Sequence, residues 1–402
     1  MQSIRVALLR ERHRILNYNT CRRTNVSRTH QTPLLHHHDH ILLSYATSQK
    51  EQPYPEMLET TIEVGPSNKR ALGSQVPAWV SAQSRLQIAP LPDDQLRTLS
   101  GLSDKEQFLR LLQPILIPRV SGTPGNTKVQ KFLINTLRGF GYTVETDSFD
   151  DSPPAPHARR TFTNIIATLD PKAPRRLLLA CHFDSKFDNR GLFIGATDSA
   201  VPCAMLLDLA RVLRGRVDSR STKQDITLQL IFFDGEEAFG DWSAVDSIYG
   251  SRHLASRLAQ TRNSFAPGVS TMSQLNSMDV LVLLDLIGTI DTKFQSLFPA
   301  TAPLYSRLTD NEDRLQSLGQ IKQWGKDGVY FGRDAMPVGS FIDDDHKPFM
   351  ERGVKILHLI SVPFPSVWHQ LSDNADNLHY QTIDDLNKIL RVFVCEYLSC
   401  RF

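Results

Sequence analysis

The chain has 402 residues, 41% hydrophobic and 22% charged, enough apolar material for a large core, which excludes a wholly disordered chain. Its 45 basic and 43 acidic residues nearly cancel, so no global charge draws it to nucleic acid. No apolar run is long enough to span a bilayer, and the N-terminus lacks the unbroken apolar core of a secretory signal.

Residues 1–85 read as a tail, either disordered or a targeting segment. The first 30 residues carry seven arginines against one acid, Glu11, a pattern that fits a mitochondrial transit peptide or a basic tail. The run His36-His37-His38-Asp39-His40 has no helix or strand pattern to fix a metal geometry. Asn25-Val26-Ser27 is a glycosylation sequon, meaningful only in a secretory lumen.

From residue 86 to 402 a single α/β domain is expected. Asp104 caps a helix carrying Phe108, Leu109, Leu111 and Leu112, and Pro114 ends it. A second helix follows Gly125 and stops at Gly139. Strands are predicted at 142–149, 162–169 and 176–183, then a helix at 200–213 and a strand at 226–233. Further buried-type strands fall at 280–287 and 354–360, and a long helix occupies 382–398. This alternation predicts an α/β sandwich of three layers around a mostly parallel mixed sheet. The segments 239–249, 288–300 and 318–345 read as long loops, which in a compact domain tend to be functional. Five cysteines, Cys21, Cys181, Cys203, Cys395 and Cys400, are too few and too irregular for a disulfide scaffold or a structural zinc cluster.

Open α/β sheets bind ligands beyond the carboxyl ends of their strands, so the residues at those ends are the candidate site. The strand at 226–233 runs into Asp234-Gly235-Glu236-Glu237. Adjacent carboxylates repel unless a cation separates their roles, and a metal binding one while the other acts as a base resolves the conflict. His182 and Asp184 end the strand at 176–183, and Asp198 opens the helix after it. Asp285 lies inside Leu283-Leu284-Asp285-Leu286-Ile287, where an unpaired carboxylate costs several kcal/mol. His369 follows the strand at 354–360. Singly, His182 reads as a core histidine and Asp198 as a helix cap. Together they have the composition of a hydrolytic zinc centre.

CHFDSK (181–186), GATDSAVPCAM (195–205), FFDGEEAF (232–239), YGSRHLA (249–255), LLDLIG (283–288), DDDHKPF (343–349) and PFPSVWH (363–369) resemble animal glutaminyl-peptide cyclotransferases, relatives of the zinc aminopeptidases. The likeness runs from about residue 88 to 402. It implies a zinc-aminopeptidase-like fold with one zinc per chain, held by Asp198, Glu237 and His369. It casts Glu236 as general acid/base and Asp285 with Asp344 as a hydrogen-bonded carboxylate pair beside the substrate. Trp242, Ile342, Phe364 and Trp368 would line the pocket, and Cys181 and Cys203 would form a disulfide. The implied reaction is cyclisation of an N-terminal glutamine, and more slowly glutamate, to pyroglutamate, with ammonia released from glutamine. The implied partners are peptides and proteins beginning with glutamine, the enzyme is monomeric, and its location is the secretory pathway, against the mitochondrial reading of the N-terminus. The loop between CHFDSK and GATDSA is shorter than in mammalian members, and Gly240-Asp241 is inserted before Trp242.

A second reading remains open on the residues alone. His182, Asp198, Glu237, Asp285 and His369 are also the ligand types of a two-zinc aminopeptidase, in which Glu236 would activate a bridging water. The Trp368-His369 pair, the Asp343-Asp344-Asp345-His346 loop and the two cysteines favour the cyclase.

Overall fold

The computed structural model describes Gln83 and residues 87–217, 225–263, 272–322, 328–335 and 342–402. The Arg-rich stretch, the histidine run and the sequon lie outside the described residues. Three helices lead in: α1 (Asp93–Ser100), α2 (Lys105–Leu112) and α3 (Pro124–Gly139). Asp104 caps α2 by accepting from the Gln107 amide at 2.9 Å, and Thr123 caps α3, with Pro124 at its first position.

The central sheet contains β1 (Thr143–Asp151), β2 (Arg160–Thr168), β3 (Arg175–His182), β4 (Ile226–Phe233), β5 (Met278–Asp285) and β8 (Ile356–Ile360), in the order β1-β2-β4-β3-β5-β8. β1 and β2 are antiparallel, and β2 runs antiparallel to β4. β4, β3, β5 and β8 are mutually parallel. Between the strands lie α4 (Val201–Leu213), α5 (Tyr249–Gln260), α6 (Ala302–Ser317) and α7 (Lys347–Met350). A two-stranded ladder joins β6 (Phe294–Ser296) and β7 (Phe331–Ala335), and α8 (Tyr380–Leu398) closes the fold.

The parallel strands are apolar on both faces because both are covered. Leu177, Leu179 and Cys181 of β3 face one core with Leu228, Leu230 and Phe232 of β4 and Val280, Val282 and Leu284 of β5. α4 and α8 pack on that side through Leu206, Leu209, Ile389 and Phe393. Leu178, Ala180, Ile231, Phe233, Leu281 and Leu283 face the opposite core, closed by Leu254 and Leu258 of α5 and Phe349 of α7. The result is the expected three-layer sandwich with a mostly parallel mixed sheet. At β1, the outer edge, the strand is largely exposed and carries Glu145, Asp150 and Asp151.

One implied bond is absent. Cys181 and Cys203 are free, buried thiols whose sulfurs stand 3.2 Å apart, well beyond the ~2.05 Å of a disulfide. The Cys203 thiol donates instead to the His182 carbonyl at 3.1 Å. Burial, with Cys203 alongside, pushes the Cys181 thiol well up, so its sulfur is not presented as an attacking thiolate. The disulfide that does form joins Cys395 and Cys400 where α8 ends. Among the described residues no helix is long and apolar enough to cross a membrane.

Candidate metal centre and active site

The carboxyl ends of the four parallel strands converge on one group of buried polar side chains. β4 leaves the sheet through Asp234 and Gly235. The glycine has φ +76°, and a Cβ there would meet the Phe162 ring at 2.5 Å, so only glycine makes this turn. Asp234 is fully buried and accepts from Ser121 Oγ at 2.7 Å, Asn126 Nδ2 at 2.9 Å and the Thr163 amide at 2.8 Å. The two glutamates that follow are fixed by their amides. Glu236 N and Glu237 N donate to the two oxygens of Asp184 at 3.1 and 3.2 Å. Asp184 stands two residues beyond the end of β3, so one strand's exit orients the next strand's acids.

Asp198 comes from a turn, Ala196–Ala200, that precedes α4, with a cis peptide between Asp198 and Ser199. Gly195 opens it at φ +59°, and a Cβ there would lie 2.1 Å from the Asp198 carbonyl oxygen. His369 has φ +54°, a conformation uncommon outside glycine that marks functional positions. Its Nε2 lies 3.6 Å from Asp198 Oδ2 and 3.6 Å from Glu237 Oε2. Ligands about 2.0–2.1 Å from a tetrahedral zinc stand about 3.3 Å from one another, so this spacing fits one ion between them.

The donors themselves test the fit. Both carboxylate oxygens of Glu237 are buried without a hydrogen-bond partner, and Lys186 approaches one at 3.6 Å without closing a hydrogen bond. Burial, with Asp198 alongside, pushes the Glu237 carboxyl well up, the condition of a carboxylate that needs a cation. For Asp198, burial acts upward but the His182 hydrogen bond and charge outweigh it and hold the carboxyl low. Burial pushes the His369 imidazole down to about 4, leaving it neutral, the form that ligates a metal. Asp198, Glu237 and His369 therefore fit a divalent ion.

A second group, His182, Asp198 and Asp285, is also close enough to hold a metal, but its atoms are engaged with one another. His182 Nε2 bonds to Asp198 Oδ1 at 3.0 Å, and Asp285 Oδ1 accepts from Ser199 Oγ. Burial acts to lower the His182 pKa, yet hydrogen bonds to Asp184, Asp198 and Asp285 raise it well above the usual value.

Glu236 is 7% exposed. Burial, with Glu237, Asp344 and Asp345 alongside, pushes its carboxyl well up. The Asp285 carboxyl is pushed up to about 6, by burial first and then by Asp198 and Asp344. Asp344 accepts from His358 Nε2 at 2.7 Å, and that contact outweighs burial and holds it low. The two carboxylates of the implied pair thus each have a donor of their own. Trp242 sits after β4, Ile342 before α7, and Phe364 and Trp368 after β8, all half-buried. The Phe364 and Trp368 rings meet edge-on at 4.8 Å, and Trp368 stacks on His369 at 4.1 Å.

A family model, Peptidase family M28, matches residues 164–394. A glutaminyl-peptide cyclotransferase of Bos taurus is 46% identical over 331 residues, spanning 80% of this chain and 90% of that protein. The chain belongs to the glutaminyl-peptide cyclotransferase family. A Drosophila melanogaster member is 45% identical over 315 residues, covering 77% of this chain and 85% of its own length. The crystal structure of a Macrostomum lignano glutaminyl cyclase superimposes with a TM-score of 0.71 at 39% identity, covering 79% of this chain and 96% of that one.

Among glutaminyl-peptide cyclotransferase motifs, CHFDSK contained Asp184 and Lys186, yet sequence reasoning gave neither a role. Arg119 and Asp373 were missed altogether. An arginine between Pro118 and Val120 carries no periodic signal, and its role comes from loops that fold onto it.

Proposed function

We propose that the chain cyclises N-terminal glutamine, and more slowly glutamate, of peptides and proteins to pyroglutamate, releasing ammonia from glutamine and water from glutamate. Residues 86–402 form the catalytic domain, acting as a monomer. Asp198, Glu237 and His369 hold one zinc. Bound there, zinc supplies a Lewis acid for the γ-carboxamide carbonyl. The observation that carries this reading is the Asp198–Glu237–His369 set, with both Glu237 oxygens unpartnered, directly beside the buried Glu236.

Glu236 takes a proton from the α-amine as it closes on the γ-carbon, then returns it to the departing ammonia. A carboxyl whose proton affinity burial raises well above the usual value suits a group that takes a proton and gives it back. Asp285 and Asp344 flank the substrate and accept from its amine and amide. The attack is intramolecular, so holding the side chain folded back accounts for much of the rate. Trp242, Ile342, Phe364 and Trp368 exclude water and clamp the short amide stem. The Cys395–Cys400 disulfide supports a secretory lumen, where such bonds persist.

The aminopeptidase reading is not favoured, because His182 and Asp285 are already bonded within the protein. Incubation with Gln- and Glu-initiated peptides, with zinc measured on the same sample, tests the proposal. Ammonia release with close to one zinc per chain is expected. Two zincs with release of free amino acids would overturn it.

A further inference from the structure

Arg119 is fully buried, yet no carboxylate closes an ion pair with it among the described residues. Its guanidinium donates to main-chain carbonyls from three segments. Nε donates to Phe183 O at 2.6 Å, just beyond β3. Nη1 donates to Ile194 O, and Nη2 to Gly195 O at 3.0 Å and Asp198 O at 3.4 Å. Nη1 also reaches Ile117 O at 3.4 Å and Ile115 O at 3.5 Å, beyond α2. Its own amide donates to Ser185 Oγ at 2.9 Å. Asp184 and Asp198 supply the surrounding negative charge.

Asp373, also fully buried, takes the opposite polarity of the same turn. Its Oδ1 accepts from the Thr197 amide at 2.8 Å, and its main-chain oxygen accepts from the Ala196 amide at 3.1 Å. Asp373 lies four residues beyond His369. The turn that carries Asp198 is thus gripped by its carbonyls through Arg119 and by its amides through Asp373. The second grip ties it to the segment that carries His369.

We propose that Arg119 and Asp373 are a pair of positioning residues that set the spacing between Asp198 and His369, and with it the affinity of the site for its metal. This rests on the assignment of those two residues as ligands. Neither touches the metal or the substrate. A guanidinium is required because a lysine ammonium offers three donors from one point and cannot span carbonyls on separate segments. Only the acceptor oxygen of Asp373 is needed, since Oδ2 has no partner.

The test is zinc affinity, read by competition with a chromogenic chelator on the full chain, with unfolding followed in the metal-free and loaded states. Arg119→Lys and Asp373→Ala are each expected to weaken zinc binding about 10- to 100-fold. Asp373→Asn keeps the acceptor and is expected to stay within about tenfold of the parent. Turnover at saturating zinc should fall through kcat with KM little changed in the first two variants. If Arg119→Lys does not fold, the two Asp373 variants decide. Folded Arg119→Lys or Asp373→Ala protein binding zinc as tightly as the parent overturns the proposal, as does Asp373→Asn binding as weakly as Asp373→Ala. Since binding is read without the reaction, shifted zinc affinity in the variants with no ammonia from Gln-peptides in the parent would uphold the positioning role and sink the cyclase reading.

Discussion

The two ends of the parallel sheet treat buried charge in opposite ways. At the amino end Arg175 opens β3 and grips Asp279 of β5 bidentately, Nε to Oδ1 at 3.0 Å and Nη2 to Oδ2, with both side chains almost wholly buried. Tyr397 donates to the same carboxylate at 3.4 Å. One cation meets one anion, and the pair is closed. At the carboxyl end Asp184, Asp198, Glu236, Glu237, Asp285, Asp344 and Asp345 are buried within one neighbourhood. Arg119, His182, His346 and His358 are the basic side chains buried there among the described residues, with Lys186 beside Glu237, and Arg119 is occupied by carbonyls. A balanced pair holds a fold together. An unbalanced one is a demand for an external positive charge, and a divalent ion meets it.

The comparison can be broken most sharply at Glu236. Glu236→Gln keeps the shape and removes the proton carrier, so kcat should fall about 10²- to 10⁴-fold while zinc content stays at the parent's level. Turnover left intact in a zinc-loaded variant would remove the glutamate from the mechanism. At the other end, Arg175→Met leaves Asp279 buried without its partner and should cost about 3–5 kcal/mol of stability. Denaturant midpoints check this, and kcat per folded molecule with zinc content should not move. A loss of zinc in this variant would show that the two ends are not separate.

The smallest expected effect is a pH dependence. Burial, with the charge of Asp198, pushes the Asp373 carboxyl up to about 7, against about 3.9 in an unfolded chain. The native state therefore holds this proton more tightly, and its contribution is full below about pH 4 and lost as pH rises through about 7. Asp373→Asn carries no such proton. In metal-stripped protein its stability relative to the parent should improve by about 1–3 kcal/mol between pH 4 and 7. A flat difference across that window would show that Asp373 is ionised throughout.

Most of the sheet was legible because its strands are long and apolar. The predicted strand at 226–233 coincides with β4, and the others fall within two residues of the observed bounds at every end. α2, α3, α4 and α8 were legible from caps and periodicity. The segment 302–317 was not, since α6 is mostly polar and owes its place to Tyr305, Leu308 and Leu315 docking in the core. α5 hid inside a motif read for chemistry, and the β6–β7 ladder pairs two short segments from predicted loops. In the site, side chains with distinctive chemistry at strand ends could be named in advance. Arg119 and Asp373 could not, and Asp184 could be named only as a strand-end acid, because what they bind is main chain, and main chain looks the same at every position. The cysteines misled for a related reason: Cys181 and Cys203 are adjacent in space, but adjacency is not a bond.

The outer strand of the sheet has a bearing on how such a protein survives its own substrates. Among the described residues β1 is paired only with β2, and its other side presents unpaired main-chain donors and acceptors. A protein that handles the loose ends of other chains meets extended peptides constantly, and an open strand is a place for them to add. Glu145, Asp150 and Asp151 stud that edge with negative charge and solvated side chains. Acidic and water-loving, it is a poor template for a further strand. Visiting chains are thereby left to find the protein at the one place where it has work for them.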